Sequence, residues 1–218
     1  MNLLHSAQQF LQRWSAVIAI AFLAANHLIG AVGLSTQQRT VFENVSWLNL
    51  LLSLVVVIAF QKPLGKNMLL FVTVAFTVGM LVEISGVNTG LPFGAYYYTP
   101  KFGTQVLGVP LIIGFNWVLL SYCCGILVQL YFSNNVMKIV AASMAMLAID
   151  LLLEPFAIRY TFWVWKEGTP PMQNFLSWFV VSLPIQWVFC KQMAGSSNRI
   201  SSAYLLILVA FLLTDLFA

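Results

Sequence analysis

Residues 136–157 read VMKIVAASMAMLAIDLLLEPFA. As a helix this run is long enough to cross the hydrocarbon core of a bilayer, which takes about 20 residues. It nevertheless contains Asp150 and Glu154, with Pro155 next in the chain, where the helix is expected to kink or end. An acid near the centre of a spanning helix costs about 2.5–3.5 kcal/mol on insertion scales, so such residues face a bundle interior and are by default functional. One stretch thus sets both the class of fold and the place to look for chemistry.

Working outward, further apolar runs occupy 14–33, 45–60, 67–85, 106–132, 173–190 and 202–217, which makes seven candidate spans. The second and the last are marginal in length, so six spans are the alternative. The expected fold is all-α, a polytopic transmembrane helix bundle forming a single integral membrane domain over 1–218, with no strand. Composition agrees: 61% of residues are hydrophobic and 7% charged, against about a quarter charged in a soluble domain. The first apolar run outlasts a signal-peptide core and lacks a clear small-residue cleavage site, so it reads as a retained span.

The net charge of +4 is spread thinly between the apolar runs. That pattern gives nucleic-acid binding no support and fits the lipid bilayer as partner. With seven spans, Arg13, Lys62, Lys66, Lys138, Lys191 and Arg199 share one side, and Arg39, Lys101, Arg159 and Lys166 the other. The second side also holds Glu43, Glu167 and Asp215, so the first is expected to be cytoplasmic, together with the N-terminus. Cys123, Cys124 and Cys190 lie in apolar runs as small hydrophobes and imply neither disulfide nor zinc site. His5 and His27 are the only histidines, too few to ligate a di-iron oxygenase centre, and no metal is expected. His27, beside Asn26, reads as a helix-packing residue.

Two connections differ from the rest. Residues 85–105, SGVNTGLPFGAYYYTPKFGTQ, and 159–174, RYTFWVWKEGTPPMQN, are long, aromatic and punctuated by Gly or Pro. Both fall on the same face of the bundle. Irregular backbone at membrane depth survives only where it is buried in protein or lines a cavity. The two loops are therefore expected to fold over the mouth of a pocket.

Asp150 and Glu154, four residues apart, lie on one helix face. Burial and like charge both oppose ionising the second carboxyl, so one is expected to keep a proton, as a general acid must. Glu83, near the end of the third run, is a candidate conjugate base or water-positioning group. The plainer alternatives are that the pair merely binds Arg159 or loop amides, and that Glu83 sits among headgroups. Phe93, Tyr96, Tyr97, Tyr98, Trp117, Trp163, Trp165 and Trp178 concentrate beside these acids. They form either an interfacial belt or a pocket for a long apolar substrate whose π faces stabilise a cation, at about 0.5–2 kcal/mol per contact. Asn88, Asn116, Gln173 and Asn174 add neutral donors and acceptors able to hold a water. For Asn116, hydrogen bonding between helices is the alternative.

At these residues the chain resembles a known family. The strings VEISGVNTGLPFGAYYYTP (82–100), GVPLIIGFNWVLLSY (108–122), DLLLEP (150–155), FWVWKEG (162–168) and QNFLSW (173–178) are similar to those of the membrane carotenoid 1,2-hydratases, of the γ-carotene 1′-hydratase and bisanhydrobacterioruberin hydratase type. The resemblance implies addition of water across the terminal C1–C2 double bond of an acyclic carotenoid end, without a cofactor. It implies a long-chain carotenoid and water as reactants, and a prokaryotic cytoplasmic membrane as location, with room for association with other carotenoid enzymes. Carried onto this chain it points to Glu83, Gly86, Gly90, Pro92, Phe93, Gly94, Tyr96, Pro110, Trp117, Asp150, Glu154, Pro155, Trp163, Trp165, Asn174 and Trp178. Two positions depart from the family pattern: Ser177 stands where Gly is expected, and Glu154 where Asp is common. The expected roles are Asp150 as proton donor, Glu154 as its partner, and Glu83 with Asn174 orienting the water. A lycopene-type cyclase starts from the same protonation and is the nearest enzymatic alternative. A proton-coupled transporter is the non-enzymatic one.

Overall fold

A computed structural model of the chain describes residues 2–217, with side chains from residue 14 onward. The side chains of His5 and Arg13 lie outside the described residues. The helices are α1 (Asn2–Leu34), α2 (Arg39–Ala59), α3 (Lys66–Thr89), α4 (Leu111–Val128), α5 (Asn135–Arg159), α6 (Met172–Gln192) and α7 (Arg199–Leu216). Six of them, all but α6, are long and apolar enough by length and composition to cross a membrane. This is an integral membrane protein of the helical-bundle kind.

The helix that falls short is not one of the two that looked marginal. α2 has 21 residues and α7 has 18, both sufficient. α6 is 21 residues long but carries Asn174, Ser177, Ser182 and Gln186 on its buried face. It still runs from one end of the bundle to the other. Near its start Gln173 and Ser177 donate to the Pro92 carbonyl, and just past its end the Ser196 carbonyl accepts from Gln129, at the far end of α4. Its outer face, with Leu176, Val180 and Trp187 exposed, is apolar. Low mean hydropathy here records a polar stripe turned inward.

α4 is the hub, with 78% of its span buried against 17–33% in the other five. Trp117, Leu119, Leu120 and Tyr122 on it are fully buried. Two glycines let neighbours approach it: a Cβ on Gly79 of α3 would stand 2.5 Å from the Trp117 ring, and one on Gly125 would stand 2.6 Å from Phe189 of α6.

Three expectations about local structure need correction. α2 begins at Arg39, ahead of the apolar run expected to start at 45, because Arg39 and Glu43 form an i,i+4 ion pair at 2.7 Å that supports the first turn. The run 106–132 is not all helix: its start belongs to a hairpin of β2 (Gln105–Val106) and β3 (Val109–Pro110), turned through Leu107 and Gly108, both at positive φ. Pro155 does not end α5, which continues to Arg159.

Nor is the protein free of strands. β1 (Tyr96–Tyr98) pairs antiparallel with β4 (Trp163–Trp165) in the register Tyr96 to Trp165, Tyr97 to Val164 and Tyr98 to Trp163. Backbone amides and carbonyls withdrawn from water must find partners, and here each aromatic loop supplies them for the other. The two loops share one face, as expected. Lys101 Nζ donates to the Tyr160 carbonyl and pairs with Glu43 at 2.8 Å, while Arg39 donates to the Arg159 carbonyl and Arg159 pairs with Asp215.

Candidate active site

The ribbon of β1 and β4 organises the site. In a strand, successive side chains point to opposite faces. Tyr96 and Tyr98 therefore share a face with their cross-strand partners Trp165 and Trp163, whereas Tyr97, on the other face, is half exposed. The inward face presents four hydrogen-bond donors to two carboxylates. Tyr96 and Tyr98 hydroxyls donate to Glu83 Oε2 at 2.5 and 2.8 Å. Trp163 and Trp165 indole N–H groups donate to Glu154 Oε2 at 3.2 and 2.9 Å.

Each of these carboxylates has a third donor. Trp117 Nε1 donates to Glu83 Oε1 at 3.0 Å, and Asn174 Nδ2 donates to Glu154 Oε1 at 3.2 Å. The same Asn174 amide reaches Asp150 Oδ2 at 3.0 Å, so it bridges the two acids of α5. For Asp150 it is the one hydrogen-bond partner among the described residues. All three acids are almost completely buried, and none has an ion-pair partner among the described residues. The alternative of Arg159 as their counter-ion falls: Arg159 turns to Asp215. Glu83 does not sit among headgroups but is 3% exposed, inside the bundle.

Burial, with the Glu83 carboxylate alongside, pushes the Tyr96 and Tyr98 phenols above their usual range. Both stay neutral donors at any ordinary pH.

Close packing sets these distances. A Cβ on Gly86, one turn beyond Glu83, would lie 2.8 Å from the Tyr96 hydroxyl. Gly90 caps α3 in the left-handed conformation, φ 78°, and turns the chain into the loop. Trp117 and Trp178 stack face to face at 4.2 Å, and Phe93 packs on both and on Tyr96. Tyr96 in turn lies 5.0 Å from the Trp165 ring, joining the Glu83 and Glu154 halves. These rings are buried inside the protein and are not an interfacial belt.

The sequence-derived residues thus divide into three groups. Glu83, Asp150, Glu154, Asn174, Phe93, Tyr96, Tyr98, Trp117, Trp165 and Trp178 converge with Trp163 on one cluster. Asn116 and Trp163 also line an apolar cavity of about 180 Å³ bounded by α1, α2, α4, α5 and α7, which the three acids do not line. Asn88 stands apart: it is exposed and donates to the Ile84 and Leu107 carbonyls, tying the hairpin to α3.

Sequence reading missed three contributions. Ser177, noted only as a departure, donates to the Pro92 carbonyl at 2.7 Å and with Gln173 anchors the first loop to α6. Gly79, which admits Trp117, carried no signal beyond being small. The donor role of the ribbon was available in principle, since YYY and WVW each place two polar-tipped aromatics at strand spacing.

Fold and cluster together define an integral membrane protein with a buried carboxylate site walled by aromatics and without a paired cation among the described residues. Residues 44–218 match the family model described as carotenoid biosynthesis protein, and the chain belongs to that family. Over 110 residues it is 29% identical to bisanhydrobacterioruberin hydratase of Haloarcula japonica, covering 45% of this chain and 36% of that protein. The match thus spans about a third of the relative's length. No solved structure matches the chain.

Proposed function

We propose that the protein is a carotenoid hydratase, a carbon–oxygen lyase that adds water across the terminal C1–C2 double bond of an acyclic carotenoid end. Family membership and the relative's printed activity support the substrate class. The observation that carries the chemistry is the unequal hydrogen bonding of the acids: Glu83 and Glu154 accept three donors each, Asp150 one. Hydrogen bonds to a carboxylate favour its charged form, so of the three buried acids Asp150, with the fewest, is the one best suited to hold and deliver a proton.

In the proposed reaction the Asp150 proton goes to C2, and the π electrons of the double bond form the new C–H bond. A tertiary cation remains at C1. It faces stacked rings and two fixed carboxyl groups with no competing cation among the described residues, the arrangement that stabilises developing positive charge. Water attacks C1 and loses a proton to the Asp150 carboxylate, which restores the acid. The net change is addition of one water, with no redox step and no cofactor.

A carboxylate offers about four acceptor positions, so Glu83, with three filled, keeps one on Oε1 for the water. Asn174 is better suited to setting the geometry of Asp150 and Glu154 than to holding that water, since its Nδ2 serves both. The proposed setting is a prokaryotic cytoplasmic membrane with the N-terminus cytoplasmic.

Expression in cells that accumulate lycopene, followed by chromatography and mass analysis of the pigments, tests the reading. A product heavier by one water is expected. An isomer of unchanged mass would replace hydration by cyclisation, and unchanged pigment would remove the enzymatic reading in favour of transport.

A further inference from the structure

The cavity between α1, α2, α4, α5 and α7 is separated from the acids by shared walls. Trp163 lines it while its indole N–H holds Glu154; Leu153 lines it next to Glu154 on α5; and Asn116 lines it next to Trp117, which holds Glu83. Most of its surface is apolar, including the stacked pair Phe102 and Phe162, 4.3 Å apart. Its polar lining is Asn26, His27, Ser46, Asn49 and Asn116, and no Lys, Arg, Asp or Glu among the described residues lines it.

The polar groups are not all spent. Asn26 donates through Nδ2 to Asn49 Oδ1 at 2.9 Å, and Ser46 donates to the Phe42 carbonyl. His27 Nδ1 meets the Leu23 carbonyl at 2.8 Å; a carbonyl only accepts, so Nδ1 carries the proton and Nε2 of the neutral ring is an acceptor. Asn116 differs from the rest: its half-buried side chain makes no hydrogen bond to any described residue. Its amide is therefore free to donate to and accept from a ligand's polar group.

We infer that this cavity holds the hydroxylated end of an acyclic isoprenoid, with the hydroxyl on the Asn116 amide. The inference rests on the hydration reading, because that reaction places a hydroxyl on the chain end across the Trp163 wall. The neutral lining decides the class of ligand. A carboxylate or phosphate headgroup would enter without a counter-charge, which a low-dielectric site penalises heavily, whereas a hydroxyl needs only one donor and one acceptor. The volume of about 180 Å³ accommodates the end of a long chain and not its whole length.

The test uses the whole chain with Asp150→Asn, so that turnover is slow against the binding measurement. Tryptophan fluorescence quenching reads binding of a 1-hydroxylated acyclic polyene and of its parent hydrocarbon. One recovered hydrogen bond corresponds to about tenfold tighter binding of the hydroxylated chain. Adding Asn116→Leu is expected to abolish that preference while hydrocarbon binding persists. Gly30→Leu, which projects from α1 into the same cavity, is expected to weaken both ligands, and its unfolding temperature shows whether the bundle is intact. Equal affinities in the Asn116-containing protein, or a preference that survives Asn116→Leu, would overturn the inference. Hydration of the hydrocarbon by the unmutated protein, measured separately, decides the parent reading on its own.

Discussion

Three carboxyls of similar burial are made unequal by their donors. Asp150 keeps a single amide partner, whereas Glu83 and Glu154 are each held by three groups. Asp150→Asn keeps the size of the side chain and removes the transferable proton. Its hydration rate is expected to fall by about 10²–10⁴, the usual contribution of a general acid, with unchanged insertion; full activity would remove Asp150 as the donor. Gly86 gives a second prediction, on packing. Alanine in a helix interior gains about 0.5–1 kcal/mol over glycine, but here its Cβ would stand 2.8 Å from the Tyr96 hydroxyl and 3.0 Å from Phe93. Overpacking costs about 1–3 kcal/mol and so outweighs the gain. Gly86→Ala is expected to lower the unfolding temperature in detergent and to cut activity by displacing Tyr96 from Glu83; a more stable, fully active variant would contradict this.

At the scale of the element, the ribbon that joins the two aromatic loops is the least anticipated part of the protein. The helices were legible because an apolar run of membrane-spanning length has few alternatives, and the acids were legible because charge is rare in such runs. The ribbon was not, since three-residue strands leave no periodicity to detect and their pairing links residues about seventy positions apart. The polarity of α6 was visible, but its meaning depends on which side faces in, and only packing decides that. The alternation of the ribbon is itself testable. Tyr97→Ala alters its exposed face and is expected to leave hydration nearly unchanged, while Tyr96→Phe and Tyr98→Phe each remove a donor to Glu83 and are expected to reduce it. Equal effects at all three positions in a pigment assay would show that the register does not matter.

Across the whole molecule, the two ends of the bundle differ in how they use charge. Every ion pair among the described residues lies at the end where the aromatic loops fold, in the Arg39–Glu43–Lys101 and Arg159–Asp215 groups. At the other end Lys62, Lys66, Lys138, Lys191 and Arg199 form none among the described residues. Lys and Arg favour the cytoplasmic side, and on that ground we propose that the site lies in the half of the bilayer away from the cytoplasm. Thiol-labelling of single cysteines placed at 64 and 169, in a background without the native three, is expected to mark opposite sides of intact cells. Labelling of both from one side would contradict seven crossings. Lys101 joins Glu43 to the Tyr160 carbonyl and the Thr161 hydroxyl, at 2.8, 2.6 and 2.6 Å, and so ties α2 to both loops. Lys101→Met is expected to cost about 1–3 kcal/mol, or about 2–4 °C in unfolding temperature for each kcal/mol in a chain of this size.

The claim on which the account turns is that a protein acid and a water molecule add across one double bond. Purified protein supplied with an acyclic carotenoid, in deuterated water and separately in heavy-oxygen water, tests it directly by mass spectrometry of the product. One non-exchangeable deuterium at C2 and one heavy oxygen at C1 are expected. Deuterium without oxygen would mean that the cation is trapped by the chain itself, and no label of either kind would mean that the cluster is not a hydration site.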